Sequence, residues 1–310
     1  MNDVTPIHRS FTDITAEAEQ QGGFCHELAH HALAYLPQSG VEGQHLVVSF
    51  GNLSTNRIEG EQHPWGHHLL RKQGWSILGL INKRNDWYRD PDLIAALETL
   101  RAEGLFRRFE RVTFYGASMG GFGAFTFSRL SPGAHVVAFA PQSTLDTSIA
   151  PFETRYRYAR KITDWTLPYG DAAEAVGDLA SAHLFFDPFE PQDKAHAARL
   201  SGPTVQLHRL RHFGHKVPPV LLKLRLLTEV SLRALRGDIS DQWLAQALRV
   251  RHKSVLYNEL MLKNAKERGH YQMGLWAADL ALQHEQHWKL KQMRKALRIG
   301  RRDARQATLP

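Results

Sequence analysis

One serine in this chain stands in a setting suited to nucleophilic chemistry. Arg111 to Ala124 reads RVTFYGASMGGFGA: a short apolar run from Val112 to Tyr115, then Gly116-Ala117-Ser118-Met119-Gly120, then a helix-like segment from Phe122 to Leu130. Strand, tight turn and helix are the context in which G-x-S-x-G has chemical meaning. The reaction needs a serine Oγ held clear of the backbone on a strained turn. Glycines two before and two after it lack Cβ, so strand and helix can approach closely around it. The Met119 N–H, at the start of the helix, then points to where an oxyanion forms. Other uses of these glycines fail on detail. A P-loop needs Lys after its last Gly, where Phe122 stands, and a dinucleotide fingerprint needs a third Gly where Thr126 stands.

A serine nucleophile also needs a base and an acid that orients the base. Three carboxylates, Asp187, Glu190 and Asp193, follow a short strand-like run at His183 to Phe186. Two histidines, His212 and His215, follow another at Val205 to Leu210. Spacing alone leaves the choice among them open. Asp187 ends its strand and precedes a Pro that fixes the chain's exit. Glu190 needs its longer side chain to reach back. Asp193 stands near the start of a helix, Lys194 to Leu200, where it serves equally as an N-cap. A rival chemistry lies at His26-Glu27-Leu28-Ala29-His30, an H-E-x-x-H match within Phe24 to Leu36, which reads as a helix ended by Pro37. On a helix this spacing sets two imidazoles one turn apart, as zinc requires. The residues after His30, HALAYLP, lack the Gly and His that the metzincin continuation places at fixed offsets, and a chain with 18 His produces such matches by chance, so no metal is assigned.

The elements that must position these groups alternate along the chain. His45 to Phe50 and Trp75 to Ile81 read as strands, Pro64 to Gln73 and Pro91 to Glu103 as helices, and His135 to Ala140 as the strand after the serine's helix. From Ser143 to Ala180 no strand is evident. That stretch holds Arg155, Arg157, Arg160 and Lys161 interleaved with Tyr156, Tyr158 and Trp165; it suits an anionic or sugar-bearing substrate, or a solvated helix face. Asn82 to Tyr88 is a polar, aromatic loop whose Trp87 and Tyr88 either line a substrate cleft or cap the core.

At the G-x-S-x-G turn and in the order Ser, acid, His, the chain resembles the α/β-hydrolase family over roughly residues 45 to 236. The resemblance implies a doubly wound, mostly parallel sheet and a serine esterase or lipase-like activity without a cofactor. Ser118 falls where the family keeps its nucleophile. Asp187-Pro188 resembles the family's acid after the seventh strand, and Gly214-His215 the Gly-His that carries its base. The family's second oxyanion donor is a backbone N–H after the strand at His45 to Phe50. Here Phe50-Gly51-Asn52 keeps the Gly but not the preceding His, and the role falls to the N–H of Asn52. The 143–180 insertion occupies the family's lid position. An acyltransferase to a sugar or other acceptor shares the first half-reaction. A non-catalytic scaffold is the reading from another class.

Composition bounds the rest. The chain has 310 residues, 43% of them apolar, enough for a substantial core. The net charge of +8 is uneven: Leu282 to Pro310 carries eight Lys or Arg against two acids, so the body is near neutral and a protein-wide nucleic-acid surface is not expected. One cysteine, Cys25, excludes an intrachain disulfide. With no signal-like N-terminus and no apolar run of about 18 residues, a cytoplasmic protein is expected. Three regions follow: a helical lead-in at 1–44, a hydrolase domain at 45–236 and a helical extension at 237–310. In the last, helices at Gln242 to Lys266 and Tyr271 to Gln283, joined at Arg268 to Tyr271, resemble one tetratricopeptide repeat, which cannot form a core alone. The tail from Lys289 is expected to fray into solvent. The expected substrate is a small molecule or acylated carbohydrate. The C-terminal helices and basic tail offer contact to a protein or an anionic surface.

Overall fold

A computed structural model describes residues 9–55 and 58–307; the first eight residues of the expected lead-in and the last three of the tail lie outside the described residues. In chain order the elements are β1 (Arg9–Ser10), α1 (Thr12–Gln20), β2 (Phe24–Glu27), β3 (His31–Leu36), β4 (His45–Phe50), β5 (Gly60–Glu61), α2 (His67–Lys72), β6 (Ser76–Asn82), α3 (Pro91–Ala102), β7 (Arg111–Ala117), α4 (Met119–Phe127), β8 (His135–Phe139), α5 (Arg157–Ile162), β9 (Ser181–Phe186), α6 (Pro191–Arg199) and β10 (Val205–Arg209). Six helices follow: α7 (Val217–Lys223), α8 (Leu227–Arg236), α9 (Asp241–Ala247), α10 (Val255–Glu267), α11 (Tyr271–His284) and α12 (Trp288–Ala307).

Eight strands form one sheet in the order β2-β3-β6-β4-β7-β8-β9-β10. Strands β6, β4, β7, β8 and β9 pair in parallel, while β3 runs antiparallel to both β2 and β6. The central strands are buried throughout: β4 is HLVVSF and β6 is SILGLIN, apolar on both faces, as a parallel sheet flanked by helices requires. This is an α/β-hydrolase fold extended by C-terminal helices. The described chain through Phe185, together with Gln192–His208, forms one compact unit; Phe186–Pro191 and the chain from Arg209 onward form a second.

Three expected elements differ. Phe24 to Leu36 is a hairpin, not a helix: β2 and β3 pair from Phe24↔Tyr35 to Glu27↔Ala32. Ala32, Leu33, Ala34 and Leu36 are buried on both sides of β3, and a short run that is apolar on both faces cannot be told from a helix by its period. The sequence from Pro218 to Leu235 predicts a single helix, but the chain breaks in two near Arg225, which adopts φ 58°. The expected helix from Gln242 to Lys266 also breaks, at a 3₁₀ stretch from Leu248 to Lys253. Ser254 then caps α10 by accepting the Tyr257 N–H.

The tail does not fray. Its described part is α12, a 20-residue helix, and its Leu290 and Leu297 are fully buried with Leu262, Leu275, Ala278, Ala281 and Leu282. Gly274 of α11 lies against Leu297, and Gly300 of α12 lies against the Tyr271 ring. A Cβ at either position would clash, so both glycines are close-approach residues between helices. The α10–α11 pair thus completes its core with the chain's own basic helix. Among the described residues, no helix is long and apolar enough to cross a membrane.

Candidate active site

The turn between β7 and α4 is built around missing side chains. Ser118 holds φ 53° and ψ −117°, a conformation costly for any residue with a Cβ. A Cβ at Gly116 would overlap the Gly120 carbonyl. One at Gly120 would stand 2.5 Å from the Gly51 carbonyl oxygen and 2.6 Å from that of Phe50. Two backbone bonds fix the serine: its N–H donates to Phe139 O at 2.8 Å, and its carbonyl accepts the Phe122 N–H at 3.0 Å. Met119 is the first residue of α4, where helix geometry leaves the N–H without an intrahelical partner. The Asn52 N–H is differently placed: it donates to Thr55 Oγ1 at 3.0 Å, and that hydroxyl lies 2.9 Å from Asn82 Oδ1. The backbone donor implied for Asn52 is therefore engaged within its own loop.

Gln142, three residues beyond the end of β8, meets the serine. Trp87 Nε1, which can only donate, bonds Gln142 Oε1 at 3.1 Å. That assigns the amide: the Nε2 side faces Ser118 Oγ and the Ala140 carbonyl, each at 3.4 Å. The Tyr156 hydroxyl also hydrogen-bonds Ser118, and burial raises its pKa against the lowering effect of Arg155. The Tyr156 ring packs on Trp87 at 4.6 Å. Sequence reasoning did not single out Gln142. The available signal was position, since groups just past the C-terminal ends of parallel strands face the ligand crevice.

Trp87 is held by strain and charge. Trp87 and Tyr88 adopt φ 54° and 56°, two bulky residues in succession in the left-handed region. Both are fully buried. Tyr88 is a core residue: its hydroxyl donates to Gly51 O at 2.6 Å and its ring meets Phe50 edge-on at 5.1 Å. Trp87 instead reaches the amide beside the serine. The turn is tied down by Asp86, whose Oδ1 accepts the Tyr88 N–H at 3.0 Å and lies 3.2 Å from His31 Nε2. Asp90 Oδ2 faces the other ring nitrogen of His31 at 3.8 Å, and its Oδ1 caps α3. Burial raises the Asp86 pKa, but His31 and Arg84 outweigh it and hold the carboxyl below its ordinary range.

His31, Asp86 and Asp90 are the ligand-type side chains that come together among the described residues. The two carboxylates flank opposite nitrogens of one imidazole, and Arg84 lies 3.1 Å from Asp86 and 3.8 Å from Asp90. The positive charge such a cluster needs is thus already present as a guanidinium, and we assign it as a clamp. The H-E-x-x-H residues give no chelate. His26 is exposed on the edge strand β2 and His30 lies in the hairpin turn, so the one-turn helical spacing does not exist.

Of the insertion's cations, Arg155 is spent on structure. Arg155 donates to Glu153 at 2.6 Å and to Asp193 at 2.8 Å, and His196 lies 3.1 Å from Glu153. Burial raises the Glu153 pKa, but the bonds from His196 and Arg155 prevail and bring it to about 2. Asp193, buried in the first turn of α6, is thus an Arg155 partner and not the expected N-cap. Arg89 is buried and donates to the carbonyls of Leu167 (2.5 Å), Pro168 (2.7 Å) and Asp164 (3.4 Å). Nearby, a cavity of about 580 Å³ is lined by Trp165, Tyr169, Arg101 and Arg129 among others; Ser118 is not in its wall.

In the second unit, Asp187 is fully buried at the end of β9. Its Oδ1 accepts the Phe189 N–H at 2.9 Å and its Oδ2 the Gly214 N–H at 2.8 Å. The carboxylate therefore grips the backbone beside His215. His212 takes φ 66° and packs its ring on Phe189 at 4.7 Å. Burial lowers its pKa, although Asp187 pulls the other way.

No protein-family model matches the chain, and no curated protein matches it by sequence. Several solved structures are similar in fold. The capsule O-acetyltransferase of Neisseria meningitidis serogroup A aligns over 73% of this chain and all of its own at 12% identity and a TM-score of 0.47. The Glycosylation Associate Protein (Gap123) complex from Streptococcus agalactiae aligns over 69% of this chain and 46% of its own, at 14% identity and a TM-score of 0.49. A fluorophosphonate-binding serine hydrolase of Staphylococcus aureus aligns over 68% and 93%, at 10% identity and a TM-score of 0.41. These are likenesses of fold. Sheet order and the strand–turn–helix at Ser118 make the chain an α/β-hydrolase fold, and its chemistry rests on its own residues.

Proposed function

We propose that the chain is a serine hydrolase that cleaves an ester bond through an acyl-enzyme. The observation that carries this reading is the strained Ser118 turn. A serine that avoided strain would serve structure equally well, whereas this one is held at φ 53° with glycines cleared around it and the Gln142 amide at its Oγ. Ser118 Oγ attacks the acyl carbon while His215 takes its proton, and Asp187 holds the histidine tautomer and stabilises the imidazolium. The bond from Gly214 N–H to Asp187 supports that pairing, because it fixes the chain one residue before His215. The oxyanion takes the Met119 N–H as one donor. With the Asn52 N–H engaged by Thr55, Gln142 Nε2 is the second. The oxyanion shares a carbon with Oγ, so a donor aimed at Oγ is within reach of it; losing such a donor costs about 10²- to 10³-fold in kcat. His215 then returns its proton to the leaving alkoxide, and water resolves the acyl-enzyme. The substrate class is a small acyl ester, acylated carbohydrates included. An acceptor hydroxyl in place of water would make the same intermediate, and product analysis separates the two.

The test is labelling by a fluorophosphonate together with turnover of a panel of short- and long-chain esters and acetylated sugars. Ser118→Ala should abolish both with little change in melting temperature. His215→Ala should lower kcat by roughly 10⁴-fold or more, because triad members act as a unit, and His212→Ala far less. Full labelling of Ser118→Ala would overturn the nucleophile. The reverse order for the two histidines would make His212 the base.

A further inference from the structure

The outer surface of the α11–α12 pair carries two features side by side. On α11, Met273, Trp276 and Leu280 are 65%, 65% and 56% exposed. Their spacing of three and four residues puts them on one face, opposite the buried Gly274, Leu275, Ala278 and Ala281. Nothing in the helix's own fold explains three large apolar side chains in a row on its wet side. Beside them runs a groove of about 570 Å³ lined by Trp276 and Asp279 from α11 and by Arg298, Arg301, Arg302 and Arg305 from α12. The acids there are already taken. Asp279 pairs with Arg294 at 2.5 Å and Asp303 with Arg302 at 3.1 Å, while Arg301 bonds the Gln272 amide. From Trp288 to Ala307, α12 carries eight Lys or Arg and one acid.

We propose that this face docks on an anionic lipid surface, with Met273, Trp276 and Leu280 entering the headgroup boundary and the α12 arginines on lipid phosphates. Charge and apolarity together select this occupant. A second copy of the chain would set one cationic helix against another. A nucleic acid would use the arginines and the Trp276 ring but gives Met273 and Leu280 nothing to bury. A bilayer interface takes both: apolar side chains led by Trp, flanked by cations that read anionic headgroups. Arginine suits this role because its planar guanidinium bonds phosphate through two N–H groups at once.

The test is co-sedimentation of the full chain with vesicles of phosphatidylcholine alone and of phosphatidylcholine with phosphatidylglycerol, at low and high salt. Binding is expected to the anionic vesicles only, and to weaken with salt. Arg298→Gln with Arg302→Gln should weaken it about fivefold per arginine removed. Trp276→Ser with Leu280→Ser should abolish it. All four side chains are exposed, so melting temperatures should match the parent, which checks that loss of binding is not loss of fold. On the unaltered protein, lipids brominated in the acyl chains should quench part of the tryptophan emission, and Trp276→Phe should remove that part. Equal binding to both vesicle types, binding indifferent to both variant pairs, or capture of single-stranded RNA without vesicle binding would each overturn the proposal.

Discussion

Two turns in the sheet unit hold residues in backbone conformations they would not choose, and they are supported by opposite means. At Ser118 the support is steric: glycines remove every Cβ that would obstruct the turn. The turn at Trp87 and Tyr88 contains no glycine, and its support is electrostatic. Asp86 bonds the turn's own N–H, His31 and Arg84 hold Asp86, and Asp90 closes the cluster. Either strain costs about 1–3 kcal/mol per residue and persists only because its surroundings over-determine it. The difference lies in what each tolerates. A steric frame is insensitive to pH and salt but fails at a single added methyl. A charge clamp accepts methyls but fails when its charges change.

Substitutions can break each support selectively. The largest effect is expected for Gly120→Ala. Its Cβ meets two backbone carbonyls that cannot swing away, so about 3 kcal/mol or more of stability is lost, together with fluorophosphonate labelling at Ser118. Chemical denaturation measures the first and gel fluorescence the second. Asp86→Asn comes next. It leaves His31 and Arg84 facing a neutral amide in a buried site, for a loss of about 2–3 kcal/mol. If the clamp serves only Trp87, labelling should slow but survive. Trp87→Phe keeps the ring and removes the indole donor, leaving Gln142 Oε1 unpaired. That should cost about 1 kcal/mol and let the amide rotate, lowering kcat with KM nearly unchanged.

The smallest expected effect concerns acid. Asp86 and Glu153 both have folded pKa values below their ordinary ones, Glu153 at about 2 against 4.5. Between those limits the unfolded chain binds more protons, so this stability is complete above the ordinary value and declines as pH falls toward the folded one. From pH 5 to pH 4 the two together should cost about 1 kcal/mol. Asp86→Asn should remove part of that slope and Gly120→Ala none of it. Equal slopes in all three proteins would mean that the clamp is not electrostatic.

Local constraint explains what the sequence made legible. The Ser118 turn was readable because its support lies within five residues, and a glycine at a fixed offset is a local mark. The central strands were readable from continuous apolar runs. The Asp86 clamp was not, because its histidine lies 55 residues away in a strand taken for a helix. The hairpin itself was lost to the ambiguity of a short apolar run. In α12 the signal was present but outweighed: Leu290, Met293 and Leu297 fall three and four residues apart, and the density of basic residues read as solvation. Gln142 carries no motif, and only its place past a strand end marks it.

The grip on the insertion has a consequence for how this protein can change. Arg89 holds the carbonyls of Asp164, Leu167 and Pro168, Thr126 that of Tyr169 at 2.8 Å, and Thr144 that of Gly170 at 2.8 Å. Every residue type offers the same carbonyl, so these anchors do not read side chains. Mutation can rewrite the exposed positions Asp164, Thr166 and Pro168 while the segment stays moored, in a way that it cannot rewrite Arg89, or Trp165 and Tyr169, whose rings pack on Phe122 and Phe127. A lineage, or a laboratory library, can therefore explore new insertion surfaces one residue at a time without first inventing a new way to hold them.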